Sequence, residues 1–272
     1  MHGLGNDFIV IDNRDGKLRD PFISSIAKTL CRRRFSIGAD GLLLVYKSSS
    51  ADVKMRIFNA DGSEAEMCGN GIRCLAKYCY ENGICRKNIM SIETLAGIKI
   101  LSLNVINGEV DTVSVDMGKP RFNRKSIPML GEGECVNEKL KVNGEIYKIT
   151  CLSMGNPHCV IFVDDVDNFP VKDVGSKIEV NRLFPERVNV GFVEVLSRHE
   201  LKARIWERGV GETLACGTGA CAAVAAASRL GLIEKKCKVQ LSGGILQLEY
   251  GETMIMTGEV EKSFEGKVEL NL

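Results

Sequence analysis

Arg56-Ile57-Phe58-Asn59, followed by Glu64 and by Cys68-Gly69-Asn70-Gly71, recurs later as Arg204-Ile205-Trp206-Glu207, Glu212 and Cys216-Gly217-Thr218-Gly219. The members of each pair lie 148 residues apart (56 to 204, 64 to 212, 68 to 216). Upstream, Gly5-Asn6 matches Gly155-Asn156 at a spacing of 150, and Gly38 matches Gly191 at 153. Ordered matches at nearly one spacing read as a duplication, and the period is far too long for a solenoid. The chain is therefore expected to hold two similar domains. Equivalent residues of facing halves would line a shared cleft, and clefts between domains are favoured ligand sites.

Around each Cys the local signals agree. A helix is expected from about Gly69 to Glu81, stopped by Asn82-Gly83, and another from about Gly217 to Leu230, Ala-rich and stopped by Gly231. Short runs rich in Val, Ile, Leu and Phe read as strands over residues 7–12, 41–46, 53–58, 113–117, 160–163, 192–196 and 203–206. The tail, from Lys238 to Leu272, reads as further strands broken at Gly243-Gly244 and Gly251. Lys119-Pro120 is the expected domain boundary.

Composition narrows the class. The 272 residues are 44% hydrophobic and 26% charged, with a formal net charge of +1. That profile is ordinary for a soluble globular protein and favours neither a nucleic acid nor a membrane as partner. Arg32-Arg33-Arg34 reads as a solvated helix end. The start carries no basic and apolar leader, and no apolar run reaches the roughly 20 residues needed to span a bilayer, so a cytoplasmic protein is expected. Eleven cysteines, three histidines and the absence of a C-x-x-C pair argue for reduced thiols and against a metal site. Most of these thiols should be small buried hydrophobes, with one or two reactive.

Cys68 and Cys216 each stand directly before a Gly-rich helix start. Unpaired amides and the helix dipole there can hold a carboxylate, the glycines allowing close approach, and should lower the thiol pKa towards neutrality. A group that must both take and give a proton works best near ambient pH. Two such thiols suggest that one removes the α-proton of an amino acid while the other returns a proton to the opposite face. The substrate carboxylate, held by fixed dipoles, would absorb the developing charge. No Schiff-base lysine motif or other cofactor signature is evident, so no cofactor is expected.

Several motifs carry a specific resemblance. They are Met1-His2-Gly3-Leu4-Gly5-Asn6-Asp7-Phe8, Phe58-Asn59-Ala60-Asp61-Gly62-Ser63 through Cys68-Gly69-Asn70-Gly71-Ile72-Arg73, Gly155-Asn156-Pro157-His158-Cys159-Val160, Val188-Asn189-Val190-Gly191, and Glu207-Arg208-Gly209 through Cys216-Gly217-Thr218-Gly219-Ala220. Together, and in order, they resemble the diaminopimelate epimerases, cofactor-independent two-cysteine isomerases of lysine and peptidoglycan precursor biosynthesis. The resemblance implies an α+β fold of two similar domains, each a curved, mostly antiparallel, barrel-like sheet around a central helix, with the active site in the cleft between them. The expected domains are residues 1–119, completed by a C-terminal strand at about 264–272, and residues 120–263.

The resemblance also implies roles. Cys68 and Cys216 would be the paired acid and base. Asn6, Asn59, Gly69, Asn70, Asn156, Asn189, Glu207, Arg208, Gly217 and Thr218 would bind the substrate, with Arg208 as a bidentate carboxylate clamp and Glu207 on an ammonium. His158 and Glu207 would tune the thiols. The expected partner is a small molecule, with a homodimer left open as the assembly. By residue type alone, Asn6, Asn59 and Asn189 equally suit turn caps, Glu207-Arg208 a surface ion pair, and His158 a satisfied loop histidine.

This chain departs from the family's pattern twice. It begins at Met1-His2-Gly3, which is expected to weaken the sheet edge beside Asn6, and it has Gly41 where some relatives carry Gln. Proline racemases and hydroxyproline epimerases share the two-thiol logic; Asn70 and the Glu207-Arg208 pair favour the longer, two-ended substrate. A redox-sensing binding protein, its two thiols forming a switchable disulfide, is the alternative from another class.

Overall fold

The computed structural model describes residues 1–270. The chain falls into two compact units, Met1–Asp116 with Thr257–Leu272, and Met117–Met256.

The first unit runs β1 (His2–Gly3), β2 (Asn6–Asp12), α1 (Asp20–Leu30), β3 (Gly41–Tyr46), β4 (Val53–Asn59), β5 (Glu64–Ala65), α2 (Gly69–Glu81), β6 (Ile89–Thr94), β7 (Gly97–Ile106) and β8 (Glu109–Asp116). The second runs β9 (Cys135–Val142), β10 (Glu145–Ser153), β11 (Pro157–Phe162), α3 (Val171–Glu179), β12 (Asn189–Ser197), β13 (Glu200–Glu207), β14 (Gly211–Thr213), α4 (Gly217–Arg229), β15 (Lys236–Leu241) and β16 (Gly244–Tyr250). The last strand, β17 (Met254–Glu259), starts in the second unit and ends in the first.

Strand pairing repeats between the units. β2 and β3 are parallel across the α1 crossover, as are β11 and β12 across α3. β4 then pairs antiparallel with β3 and β5 and parallel with β6; β13 does the same with β12, β14 and β15. The register is also repeated. Leu43 faces Ile57 and Gly191 faces Ile205, while Phe58 faces Glu64 and Trp206 faces Glu212. Gly191 is thus the counterpart of Leu43, at the common spacing of 148. Its sequence match to Gly38 is a coincidence, because Gly38 sits in the loop before β3. The Gly5-Asn6 match stands. Phe8 faces Gly41 and His158 faces Asn189, which makes Asn156 the counterpart of Asn6 at a spacing of 150.

Each unit wraps its strands around one helix. α2 packs on β1, β2, β3, β4, β7 and β8, and α4 on β10, β11, β12, β13, β15 and β16. A helix enclosed on all sides needs small or apolar residues all round rather than one stripe. Accordingly Ala220 to Ala227 of α4 are fully buried, every one Ala, Cys or Val. Alanine also has the best helix propensity, so tight packing and local preference agree.

Two helices were not foreseen from sequence. α1 buries Ile23, Ile26, Ala27 and Leu30, an i, i+3, i+4, i+7 stripe behind Asp20-Pro21, and α3 buries Val171, Val174 and Ile178. Both signals were present but short. The tail also differs. After β17 no strand occurs over 262–270, where Lys262, Glu265, Gly266 and Lys267 break any alternation; only Glu261 bridges to His2. The end of the strand expected at about 264–272, residues 271 and 272, lies outside the described residues. Met1 is tied to β2, its ammonium donating to the Phe8 carbonyl at 3.0 Å and its carbonyl accepting the Phe8 amide at 2.8 Å. Among the described residues no helix is long and apolar enough to cross a membrane.

Candidate active site

The two C-G-x-G motifs are built alike, each inside its own unit. Arg56 grips Glu64 with Nε–Oε1 at 2.7 Å and Nη2–Oε2 at 2.9 Å; Arg204 grips Glu212 with 2.6 and 3.0 Å. These bidentate pairs staple the short strand before each Cys to the strand behind it. The second glycines do packing work. A Cβ on Gly71 would lie 3.2 Å from Leu43 Cδ2 and 3.4 Å from Ile57 Cδ1; one on Gly219 would lie 3.1 Å from Ile205 Cδ1, Cγ1 and Cγ2. Glycine here lets the helix approach the sheet.

None of the eleven cysteines is in a disulfide, and Cys68 is the half-buried one. It is the N-cap of α2, and its Sγ accepts the Gly71 amide at 3.5 Å. Its thiol also faces Asn6 Oδ1 at 3.7 Å. Asn70 is buried; its Nδ2 donates to the same Asn6 oxygen at 3.1 Å, and its Oδ1 accepts Arg73 Nη2 at 3.0 Å. The fully buried Arg73 also donates to the Gly69 carbonyl at 3.2 Å. Asn59 is exposed at the end of β4, where its Nδ2 donates to Ser63 Oγ at 3.0 Å. Gly41 has no room for a side chain in this conformation, since a Cβ would meet the Phe58 carbonyl at 2.8 Å and the Phe8 ring at 3.3 Å.

Cys216 is the buried N-cap of α4. Its Sγ lies 3.6 Å from Thr218 Oγ1. Here the expectation of a lowered pKa fails. Burial pushes the thiol well up, the Glu207 carboxylate pushes it further, and the Thr218 hydroxyl and Gly219 amide only partly oppose this. A helix N-terminus is worth less than the cost of placing a thiolate in a closed site beside a carboxylate. Thr218 in turn accepts Asn156 Nδ2 at 3.2 Å, and Asn156 Oδ1 contacts His158 Nε2 at 2.9 Å. Burial drives His158 down to about 3, with the Arg208 charge adding to the effect, so the ring is neutral near pH 7.

Glu207 and Arg208 stand at the β13–β14 turn. Thr213 Oγ1 donates to Glu207 Oε1 at 2.6 Å, and Arg208 Nη1 donates to the Glu186 carbonyl at 2.9 Å. Asn189 is buried between backbone groups, its Oδ1 accepting the Arg208 amide at 2.9 Å and its Nδ2 donating to the Pro157 carbonyl at 2.8 Å. Glu179 of α3 clamps the same turn, accepting Trp206 Nε1 at 2.7 Å and the Gly209 amide at 2.9 Å. Sequence reasoning missed Glu179, Thr213, Asp40 and Arg33. Glu179, Asp40 and Arg33 lie outside the Cys motifs, although Glu179 closes a helix whose stripe could have been read; Thr213 lies within the second motif but carries no signal of its own. Arg33 belongs to the run taken as a solvated helix end, yet it bridges Asp7 and Asp40 at 2.5 and 2.9 Å. Among the described residues no group of three or more His, Cys, Asp or Glu is placed to hold a metal ion.

The fold is shared with solved phenazine biosynthesis proteins, epimerases and racemases. A PhzF-family phenazine biosynthesis protein from Enterococcus faecalis aligns with a TM-score of 0.69 at 14% identity, covering 98% of this chain and 94% of that one. A hydroxyproline epimerase from Agrobacterium vitis aligns at 0.65 and 14%, covering 95% and 87%. Sequence is more specific. The diaminopimelate epimerase family model matches residues 1–123 and 150–263. A diaminopimelate epimerase of Acetivibrio thermocellus is 50% identical over 100% of this chain and 98% of the relative; one of Methanococcus maripaludis is 45% identical over 99% and 98%. The chain belongs to the diaminopimelate epimerase family.

Proposed function

We propose that this protein is a cytoplasmic isomerase that interconverts LL- and meso-2,6-diaminopimelate, in lysine and peptidoglycan precursor biosynthesis, by proton transfer between Cys68 and Cys216. The observation that carries the reading is the duplicated thiol, one at the N-cap of α2 and one at the N-cap of α4, in a chain of this family. One sulfur takes the α-proton as thiolate. The C–H pair stays on carbon as a carbanion, and the other thiol gives its proton to the opposite face. The first amides of α2 and α4, from Gly69, Asn70, Gly217 and Thr218, serve the reacting carboxylate as fixed dipoles, which need no reorganisation as charge develops.

Cys216 rests as a thiol, because burial and Glu207 both oppose its ionisation. It therefore enters as the acid in one direction and must ionise in the other. In this reading Glu207 binds the substrate ammonium. That pairing offsets the carboxylate charge and brings the Cys216 pKa down once substrate is bound. Arg208 takes a carboxylate, and Asn189 and His158 hold the elements that present Arg208 and Thr218. Asn6, Asn59, Asn156 and Asn189 supply amide contacts to the two amino-acid ends.

The test follows LL-diaminopimelate with reduced protein in deuterium oxide, beside Cys68→Ala and Cys216→Ala. Deuterium at the α-carbon with appearance of the meso isomer, lost in both variants, is the expected result. Turnover that survives either substitution would overturn the two-thiol step, and turnover of proline in place of diaminopimelate would overturn the substrate.

A further inference from the structure

Asn6 and Asn156 hold matching places in the repeat, yet their amides are turned opposite ways. In the first unit Asn6 Nδ2 donates to Asp40 Oδ2 at 2.8 Å, which leaves Oδ1 towards Asn70 Nδ2 at 3.1 Å and the Cys68 thiol at 3.7 Å. In the second, Asn156 turns its oxygen to His158 at 2.9 Å and its nitrogen to Thr218 at 3.2 Å.

The orienting residues are exchanged as well. Phe8, which has no hydrogen-bonding side chain, stands at the place of His158. Val188, apolar and fully buried, stands at the place of Asp40, 148 residues on. An ionised carboxylate only accepts, so Asp40 can take only the nitrogen end of Asn6; a neutral imidazole presenting N–H takes the oxygen end of Asn156. Each unit therefore fixes its asparagine from a different side and with a different polarity.

Asp40 is itself held firmly. Its Oδ1 accepts Arg33 Nη2 at 2.9 Å, and its Oδ2 also accepts the Asp7 amide at 3.2 Å. Asp7 returns the contact, with Oδ1 accepting the Asp40 amide at 3.0 Å, and Arg33 grips Asp7 at 2.5 and 3.0 Å. From α2, Arg73 reaches Asn70 at 3.0 Å. Asp7, Arg33, Asp40 and Arg73 are thus charged groups, among the described residues, whose contacts lead to Cys68 and its two asparagines.

We propose that Asp40 is a positioning residue for Cys68: by holding the amide nitrogen of Asn6 it turns the Asn6 carbonyl oxygen onto the thiol and keeps Cys68 a hydrogen-bond donor. The proposal rests on the reading of Cys68 as a proton-transfer thiol. An acceptor facing the sulfur favours the protonated form, whereas the flipped amide would present N–H and favour the thiolate. Asp40 thereby keeps a proton on Cys68 ready for delivery in the direction in which Cys216 has ionised and acts as the base, without touching substrate.

The experiment measures iodoacetamide alkylation of Cys68 and Cys216, peptide by peptide, from pH 6 to 10, in the full-length protein, with Asp40→Asn, Asn6→Ala and the double variant. Alkylation follows the thiolate fraction and reads Cys68 whether or not diaminopimelate turns over, so the two readings can fail separately. In Asp40→Asn the amide can turn, and the Cys68 profile moves about one pH unit down, an approximately tenfold faster reaction at pH 7, while Cys216 is unchanged. In the Asn6→Ala background the same substitution changes the Cys68 rate less than twofold. A Cys68 profile that does not move in Asp40→Asn overturns the proposal. So does an equal shift in the Asn6→Ala background, which would make Asp40 act by its charge alone. Asp40→Val, copying the second unit, carries the same expectations if Asp40→Asn fails to fold.

Discussion

Gly219→Ala tests why the motif needs its second glycine. The new methyl would lie 3.1 Å from three atoms of Ile205, inside ordinary van der Waals contact. Overpacking of this kind costs about 1–3 kcal/mol. Replacing glycine in a helix returns roughly 0.5–1 kcal/mol, less so here because Gly219 is in the first turn. The net expectation is a loss of about 1–2 kcal/mol. Ile205→Val removes Cδ1, one of the three crowded atoms, and should alone cost about 1 kcal/mol. In the double variant the two losses should not add; a coupling of about 1 kcal/mol is expected between side chains in contact. Trp206 is the single tryptophan and lies next to Ile205 in β13, so urea unfolding followed by its fluorescence reports on this unit. A Gly219→Ala protein as stable as the parent, or losses that simply add, would refute the packing account. The ligand-approach account would then be the better one.

His158→Phe, which copies Phe8, should flatten the acid limb of stability. The histidine is held down to about 3 when folded and titrates near 6.5 when unfolded, so between those values the unfolded chain binds the extra proton. Stability is then present above about pH 6.5 and falls as pH drops, by up to about 1.4 kcal/mol per unit. Urea midpoints at pH 7, 6 and 5 check this, and an unchanged slope in the variant would count against it. Glu207→Gln should speed alkylation of Cys216 at pH 8 several-fold, because one of the two effects raising that thiol is removed, while kcat/KM for diaminopimelate falls. A Cys216 rate that does not respond would remove Glu207 from the electrostatics of that thiol.

By itself the sequence determined the duplication, the strands that pair around each cysteine motif, the two central helices and the cysteines at their starts, while β6, β7, β9 and β10 went unread. These are local facts. The glycine stops and the runs rich in Val, Ile, Leu and Phe are written in neighbouring residues, the repeat spacing is read by comparing the chain with itself, and burial around a central helix demands the small residues seen in α4. The strand pairing explains why the spacing is constant from β3 to α2, matched by β12 to α4, and two residues longer at Asn6. The crossovers through α1 and α3 differ in length, whereas the paired strands cannot slip without turning every side chain over.

Only the tertiary structure decided the electrostatics. Nothing local to Cys216 says that it is closed off and faces Glu207, nine residues back along the chain but brought beside it by the β13–β14 turn, so a helix-start thiol was expected low and stands high. Nor does a motif reveal that Asp40 and His158 turn two equivalent asparagines in opposite directions. The physical reason is range. Propensity and pattern act over a few residues, while desolvation and hydrogen-bond polarity depend on groups such as Asp40 and Asn6, 34 residues apart, that meet only when the sheet closes.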